Sequence, residues 1–276
     1  MNQKNLDYLK ENLKYHGFGE KLYPELQKNI EQGFPEFKLS MQNEYGKDKL
    51  NADLYFRRSD QSDMYFFNRY DAKLTNEKES QSQSFYLNKG SGVTLKEAYN
   101  LLEGRAVNKD LINNEGQKYN AWMQLDFKNQ DENGNYKMKQ FHQNYGYDLE
   151  KALSVLPVKE LNNPEEKEKL VRSLEKGNIQ SVSFEKDGNQ ERMFVEANPQ
   201  FKTVNVYDGQ MKKIQKDVSH QRQSTGQASA KDLKQEQNKE VKEDKSDKQT
   251  LRPAKQNNEN SLLPKKRTNN KGLSIS

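Results

Sequence analysis

A helix that ends at a glycine, followed by strands that fold about a second glycine, recurs three times along this chain. The helix-ending glycines stand about 70 residues apart. The three pairs are Gly33 with Gly46, Gly104 with Gly116, and Gly177 with Gly188. Regular spacing of one supersecondary unit is typical of duplication. The pattern predicts an α+β fold built from repeated helix–β-hairpin units, with antiparallel sheets and with helices on one face of them.

Hydrophobic periodicity predicts the individual elements. Leu6, Leu9 and Leu13 have the three- and four-residue spacing of one helical face. Thr94 stands three residues before Glu97, a capping-box sequence that predicts a helix starting at residue 95. Alternating apolar residues predict strands at 37–41, 50–56, 64–74, 84–87, 119–127, 179–184, 191–195 and 201–207.

Composition divides the chain into regions. The aromatic residues end at Tyr207, and residues 210–276 are mostly Lys, Gln, Asn, Asp, Glu and Ser. This segment has 16 Lys and Arg against 8 Asp and Glu, a net charge of +8, so the +5 of the whole chain leaves −3 for residues 1–209. Such a polar, charged segment cannot bury enough apolar surface to fold. We expect an N-terminal helix with an antiparallel β unit at 1–88, an α+β domain of two further helix–hairpin units at 89–208, and a disordered basic tail at 209–276.

The absence of cysteine excludes disulfides, thiolate zinc sites and a cysteine nucleophile. The first residues lack the apolar core of a signal peptide, and no later stretch has the length and apolar character of a membrane span. We therefore expect a cytoplasmic protein that does not contact a membrane.

Several segments resemble one known family. They are residues 92–109 (GVTLKEAYNLLEGRAVNK), 119–122 (YNAW), 141–148 (FHQNYGYD) and 198–202 (NPQFK). They resemble an uncharacterised domain of unknown function found in proteins of Bacteroides-type conjugative transposons, and the similarity covers roughly residues 85–208. The resemblance implies an accessory protein of a mobile element in the cytoplasm. It brings no activity and no catalytic residues.

One face of the predicted hairpin at 119–145 combines aromatic residues with lysines. The sequence Asn133-Gly134 predicts a two-residue type I′ turn, which would place Trp122 opposite Tyr145. Aromatic residues interleaved with cations are typical of single-stranded nucleic-acid binding. The alternative is that a neighbouring unit packs over the aromatic residues and leaves the lysines at the rim. The candidate nucleic-acid-binding residues of this face are Trp122, Phe141, Tyr145, Lys128, Lys137 and Lys139.

Two weaker patterns concern phosphate groups. Lys89, Gly90 and Gly92 precede the capped helix, where backbone N–H groups could hold a phosphate. The alternative is a flexible turn, because the remaining residues of a nucleotide-binding motif are missing. In the tail, Lys265-Lys266-Arg267 could contact phosphate backbones without reading sequence, so it joins the candidate nucleic-acid-binding residues.

Catalytic chemistry has little support in the sequence. His16, His142 and His220 do not have the spacing of metal ligands, and no G-x-S-x-G or Walker sequence occurs. We therefore expect no catalytic residue, no metal and no cofactor. An enzyme would need a pocket that gathers Asp, Glu, Tyr or His residues from distant parts of the sequence.

Charge, the aromatic face and the family resemblance together favour a non-enzymatic accessory protein of a mobile genetic element. Its expected partner is DNA, RNA or a nucleoprotein complex. The alternative is a protein–protein interaction module that binds a mobile-element protein, with a tail that only tethers it. The sequence predicts no oligomeric state.

Overall fold

A computed structural model describes residues 2–77, 79–87, 92–113, 115–186 and 188–214 of the chain. These residues form five α-helices and ten β-strands, joined by loops and short 3-10 helices. The helices are α1 (Gln3–Tyr15), α2 (Tyr23–Glu31), α3 (Leu95–Leu102), α4 (Leu149–Ser154) and α5 (Pro164–Glu175). The strands are β1 (Glu36–Tyr45), β2 (Asp48–Arg58), β3 (Tyr65–Thr75), β4 (Ser80–Tyr86), β5 (Val107–Ile112), β6 (Lys118–Gln130), β7 (Tyr136–His142), β8 (Gln180–Lys186), β9 (Asn189–Asn198) and β10 (Thr203–Tyr207).

The strands form three antiparallel sheets. The first sheet has the order β1-β2-β3-β4, the second β5-β6-β7 and the third β8-β9-β10. A helix precedes each of them in the chain: α2, α3 and α5 respectively. The predicted α+β class with antiparallel sheets is confirmed. The predicted disordered tail lies outside the described residues, apart from residues 209–214.

The helices form where the sequence pattern predicts them. Leu6, Leu9 and Leu13 are fully buried, because their spacing places them on one face of α1. At α3, the Thr94 hydroxyl accepts the Glu97 amide at 3.3 Å, and the Glu97 carboxylate accepts the Thr94 amide at 2.8 Å. The predicted capping box is therefore confirmed, and it satisfies amides that the first helical turn leaves unpaired.

Helix α3 lies between the first and second sheets. It contacts β3 and β4 on one side and β5 and β6 on the other. One continuous core runs from α1 and the first sheet through Leu101 and Leu102 of α3 to Met123 and Leu125 of β6. The first two sheets therefore share a core.

A second core joins the third sheet to α4, α5 and the opposite face of β6. Its buried members include Leu153 of α4, Leu174 of α5, Val195 of β9 and Trp122 of β6. The Tyr147 ring meets the Trp122 indole edge-on, with ring centroids 5.3 Å apart. The middle of β6 is consequently covered on both faces.

The turn after α5 docks against α3 through a close backbone contact. Gly177 has φ +77°, and a Cβ atom added there would lie 2.8 Å from the Ala106 carbonyl oxygen. The side chain of Asn100 on α3 donates to the Lys176 carbonyl at 2.6 Å and accepts from Arg105 at 2.8 Å. Glycine fits this position because it lacks the Cβ atom and tolerates the left-handed conformation.

The hairpin between β6 and β7 does not turn as the sequence predicts. Gly134 has φ +79°, but Asn133 lacks the positive φ that a type I′ turn requires. The loop closes instead through hydrogen bonds from the Gly134 amide to the Asp131 carbonyl at 3.1 Å and from the Asp131 amide to the Asn135 carbonyl at 2.8 Å. This is a three-residue loop with its glycine in the left-handed region.

A bulge after Asp126 then shifts β6 against β7. The Asp126 carboxylate accepts the Lys128 amide at 3.3 Å, so the side chain replaces a ladder partner that the bulge removes. Trp122 consequently pairs with Phe141, and the predicted pairing of Trp122 with Tyr145 is wrong.

Candidate nucleic-acid interface

A ligand cannot reach Trp122, which the sequence predicts at the centre of a nucleic-acid-binding face. Only 7% of this side chain is exposed, because Tyr147 and residues of α4 and the third sheet pack around it. The prediction of an open Trp122 surface is therefore wrong. The alternative interpretation, in which a neighbouring unit covers the aromatic face, describes the structure at this residue.

The other candidates on that face are partly accessible. Phe141 is half-buried and lies 5.0 Å from the Tyr145 ring, between centroids. The Tyr145 hydroxyl donates to a backbone carbonyl at 2.7 Å, which fixes the ring against the turn after β9. Lys128 and Lys137 are exposed, whereas Lys139 forms an ion pair with Asp126, 3.3 Å apart. The structure thus brings Phe141 and Tyr145 together, but the Trp122 indole is buried and cannot join them and the lysines in one accessible surface.

Gly92 is the one described residue of the predicted phosphate loop. A Cβ atom there would lie 2.2 Å from Cδ2 of Leu87, so close packing alone accounts for a glycine. Lys89 and Gly90 lie outside the described residues, and so does the basic run Lys265-Lys266-Arg267.

The two described histidines lie in different surroundings. His16 is fully buried, its Nδ1 donates to the Asn12 carbonyl at 2.8 Å, and burial lowers its pKa. His142 is exposed beside the Tyr119 ring, 5.3 Å away between centroids. Within the described ranges, no group of three or more His, Asp or Glu residues could hold a metal ion. His220 lies outside those ranges.

A more extensive open surface lies on the first sheet. Helices α1, α2 and α3 contact strands of this sheet, and the burial alternates strictly along much of β2 and β3. The residues that point away from the core form what we call the outer face. They line up in rows because the four strands pair in antiparallel register, and the bulge between β2 and β3 comes only after Tyr55. The aromatic–cation row is Lys38, Tyr55, Arg69 and Tyr86, and the adjacent carboxylate row is Ser40, Asp53, Asp71 and Ser84.

The aromatic–cation row presents flat groups and positive charge side by side. The Arg69 guanidinium carbon lies 4.2 Å from the Tyr55 ring centroid, and Tyr86 on the neighbouring strand is 66% exposed. Asp71 holds Arg69 in place at 3.4 Å. Partial burial and the Asp71 carboxylate raise the pKa of Tyr55, so its hydroxyl stays protonated at neutral pH. Planar side chains on adjacent strands are about 4.8 Å apart, close enough to form one stacking surface.

The carboxylate row places two negative charges directly opposite each other, on Asp53 and Asp71. Like charges in this arrangement destabilise a sheet unless other groups compensate. Ser40 and Ser84 each donate a hydroxyl to the nearer carboxylate at 2.6 Å, and Lys38 donates to Asp53 at 2.9 Å. Partial burial alone would raise the pKa of Asp53, but the hydrogen bonds from Ser40 and Lys38 outweigh it and keep that pKa below its usual value. Asp53 therefore stays negatively charged at neutral pH.

The third sheet carries a smaller set of the same groups. The Arg192 guanidinium carbon lies 5.2 Å from the Phe194 ring centroid, and Tyr207 on β10 lies opposite Phe194. The Tyr207 hydroxyl donates to the Glu196 carboxylate at 2.9 Å. Phe194 and Tyr207 are both half-buried, so this face offers less aromatic surface than the first sheet.

The sequence interpretation did not identify Tyr55, Arg69 or Tyr86 as site residues. A signal was present in the turn glycine Gly46, because a two-residue turn there fixes β1 against β2 and puts Lys38 opposite Tyr55. The alignment with Arg69 and Tyr86 depends on two further hairpins whose turns carry no comparable signal.

No family model, curated protein or solved structure matches the chain. Among the helices of the described residues, none has both the length and the apolar character needed to span a membrane.

Proposed function

We propose that this protein is a non-enzymatic accessory protein of a mobile genetic element, that it acts in the cytoplasm, and that the outer face binds single-stranded nucleic acid. The observation that carries the proposal is the aromatic–cation row, in which the half-buried Tyr55 and Arg69 lie beside the exposed Tyr86. Proteins that bind single strands combine aromatic side chains for base stacking with cations for the backbone.

The layout of the outer face suits a strand lying across the sheet. Each base stacked on an aromatic side chain contributes about 1–3 kcal/mol. Lys38 and Arg57 are exposed cations on the first two strands of this face. Lys38 already donates to Asp53 at 2.9 Å, and Arg57 lies 3.6 Å from Glu36 and 3.2 Å from Asp60, so a phosphate competes with these carboxylates. Asp53 and Asp71 repel phosphates, so the backbone passes beside them, and their oxygens can accept hydrogen bonds from base amino groups.

Two further features support the mobile-element context. Residues 92–109 and 119–122 resemble the conjugative-transposon domain family. The order of a helix followed by an antiparallel sheet, found three times, together with the Arg192–Phe194 pair on the third sheet, supports an origin by duplication of one helix–hairpin unit.

Fluorescence anisotropy with short labelled single strands tests the binding proposal. We expect Tyr86→Ala to weaken binding about tenfold, the loss of one stacking contact. Tyr8→Ala is the matched control, because Tyr8 is also an exposed tyrosine, on α1, and lies on the opposite side of the sheet from the outer face. Equal binding by wild type and Tyr86→Ala would refute the proposal for this face.

The basic tail requires a separate arm of the same experiment. The chain should be shortened after Ile214, because the Ile214 amide donates to the Val206 carbonyl at 2.8 Å and completes the edge of β10. We expect removal of residues 215–276, most of the cationic segment, to reduce the salt dependence of binding, since fewer phosphate contacts release fewer counterions. A Tyr86 effect that persists in the shortened chain would separate the outer face from the tail.

A second candidate function is a protein–protein interaction module. The observation that favours it is the opposed pair Asp53 and Asp71, which attracts a basic partner and repels phosphates. Under this function, Asp53→Asn with Asp71→Asn would weaken capture of a protein partner that resists nuclease treatment. If single strands drive binding, the same double change would strengthen binding to nucleic acid.

A further inference from the structure

Strand β1 ends the first sheet with one side unpaired among the described residues. It is the outermost strand and pairs only with β2. The Pro35 carbonyl accepts the Arg58 amide at 2.8 Å, which places the odd-numbered residues of this strand in the hydrogen-bonded pairs with β2. The even-numbered residues therefore point their N–H and C=O groups outward, and they are Glu36, Lys38, Ser40, Gln42 and Glu44.

Three of the other sheet edges carry specific contacts among the described residues. On β8, the Ser183 amide donates to a carboxylate oxygen of Glu160 at 2.9 Å. On β4, the Ser84 amide donates to the side chain of Asn135 at 2.8 Å, and β10 is covered by the segment that ends at Ile214. An exposed edge of ten residues without such a cap is a template for another strand.

We propose that the β1 edge is an interface between two copies of this chain. The two β1 strands pair antiparallel about a two-fold axis that passes beside Met41, so that Met41 lies opposite its own counterpart. In this register Lys38 of each copy lies opposite Glu44 of the other, and Ser40 lies opposite Gln42. The two first sheets then form one continuous eight-stranded sheet.

Charge complementarity selects this register. The Lys38 ammonium uses one of its three protons for Asp53, at 2.9 Å, and has protons left for a carboxylate of the second copy. If the two-fold axis passed beside Ser40 instead, Glu36 would lie opposite Glu44, two like charges. If it passed beside Gln42, Lys38 would lie opposite Gly46 and the ion pair would be lost. Because the interface is two-fold symmetric, each favourable pair occurs twice.

The side chains on the core-facing side of β1 are also compatible with this register. Phe37 and Tyr45 are half-buried residues on the face of β1 that points toward the core, and the proposed register puts them opposite each other. Cross-strand aromatic pairs stabilise antiparallel sheets. A single strand pair buries less surface than a permanent dimer does, so we expect a weak dimer that forms with rising concentration.

Sedimentation equilibrium of the full chain, at concentrations up to about 1 mM, measures the association. We expect Lys38→Glu and Glu44→Lys each to weaken the dimer about tenfold, because two attractive pairs become two repulsive ones. The double variant Lys38→Glu with Glu44→Lys restores attraction and should return to the wild-type constant. Lys73→Glu is the control, because it makes the same charge change on β3, away from the edge.

A disulfide measures the register directly, since the chain has no cysteine of its own. Met41→Cys places two thiols opposite each other in a non-hydrogen-bonded pair, with Cα atoms about 4.5 Å apart, within the range of a disulfide. Asn43→Cys is on the same face of the same strand, but in this register position 43 of one copy lies four residues along the strand from position 43 of the other. We expect mild oxidation to cross-link Met41→Cys and to leave Asn43→Cys monomeric.

The proposal is overturned by a chain that stays monomeric throughout the concentration range. It is equally overturned if the double charge reversal associates no better than the single ones, or if Asn43→Cys cross-links as fast as Met41→Cys. None of these outcomes bears on nucleic-acid binding by the outer face, which anisotropy measures separately.

Discussion

Replacing Gly177 with alanine tests how the turn after α5 is joined to α3. Gly177 has φ +77°, and an added Cβ would lie 2.8 Å from the Ala106 carbonyl oxygen and 3.0 Å from both Asn100 Cβ and Val107 Cγ2. The carbonyl belongs to the backbone, so it cannot rotate away as a flexible side chain would. Relief requires the turn to move away from α3.

Two costs add at this position. A residue with a Cβ atom in the left-handed region loses about 1–2 kcal/mol. Forcing an extra carbon into a packed contact costs about 1–3 kcal/mol more. We therefore expect Gly177→Ala to lower the free energy of unfolding by about 3 kcal/mol, a large part of the 5–15 kcal/mol typical of a folded domain.

Gly33→Ala is the matched control. Gly33 also follows a helix and has φ +71°, but an added Cβ there meets nothing within 4 Å. It carries the backbone cost alone, and the difference between the two variants isolates the packing cost. Urea unfolding followed by circular dichroism gives both free energies. Equal losses in the two variants would refute the packing argument.

Three other perturbations have defined outcomes. Asn100→Ala leaves the buried Arg105 guanidinium without the acceptor it now has at 2.8 Å, and urea unfolding should show a loss of about 3 kcal/mol. Burial lowers the pKa of His16 below its ordinary value of 6.5, so the unfolded chain takes up this proton first. The contribution of His16 to the free energy of unfolding is therefore full above pH 6.5 and decreases as the pH falls from there toward the folded-state pKa. Urea unfolding at a series of pH values should show this decrease in His142→Gln but not in His16→Gln. Trp122→Phe should lower stability yet leave the anisotropy titration with single strands unchanged, because the buried indole cannot contact a ligand.

Local signals were sufficient to predict helices α1 and α3. Thr94 and Glu97 interact across three residues, so the capping box is complete in the sequence itself. The leucine spacing of α1 likewise needs only helical geometry to place Leu6 and Leu13 in the core. Predictions of this kind depend on no distant part of the chain, and these were confirmed.

The binding face could not be predicted in the same way. The position of Trp122 opposite Phe141 depends on a bulge held by the Asp126 side chain, which an Asn-Gly turn does not reveal. The burial of Trp122 depends on Tyr147 and on residues of α4 and the third sheet that are distant in sequence. The row that joins Tyr55 to Tyr86 likewise exists only after separate hairpins have set their registers. The partner of Trp122 differs from the predicted one by four residues, an even number, so the predicted face was correct although the pairing was wrong.

Lys38 connects the two proposals, because it belongs to both the aromatic–cation row and the β1 edge. Lys38→Glu should therefore weaken both single-strand binding and association of the two copies. Glu44 lies outside the aromatic–cation row, so Glu44→Lys should weaken association without weakening single-strand binding, and Tyr86→Ala should do the reverse. If both proposals hold, two outer faces lie side by side in one sheet, and a strand long enough to reach both binds the second at a high effective concentration. Affinity should then rise with strand length in the wild type, and it should rise less in Glu44→Lys, whose outer-face row of Tyr55, Arg69 and Tyr86 is intact.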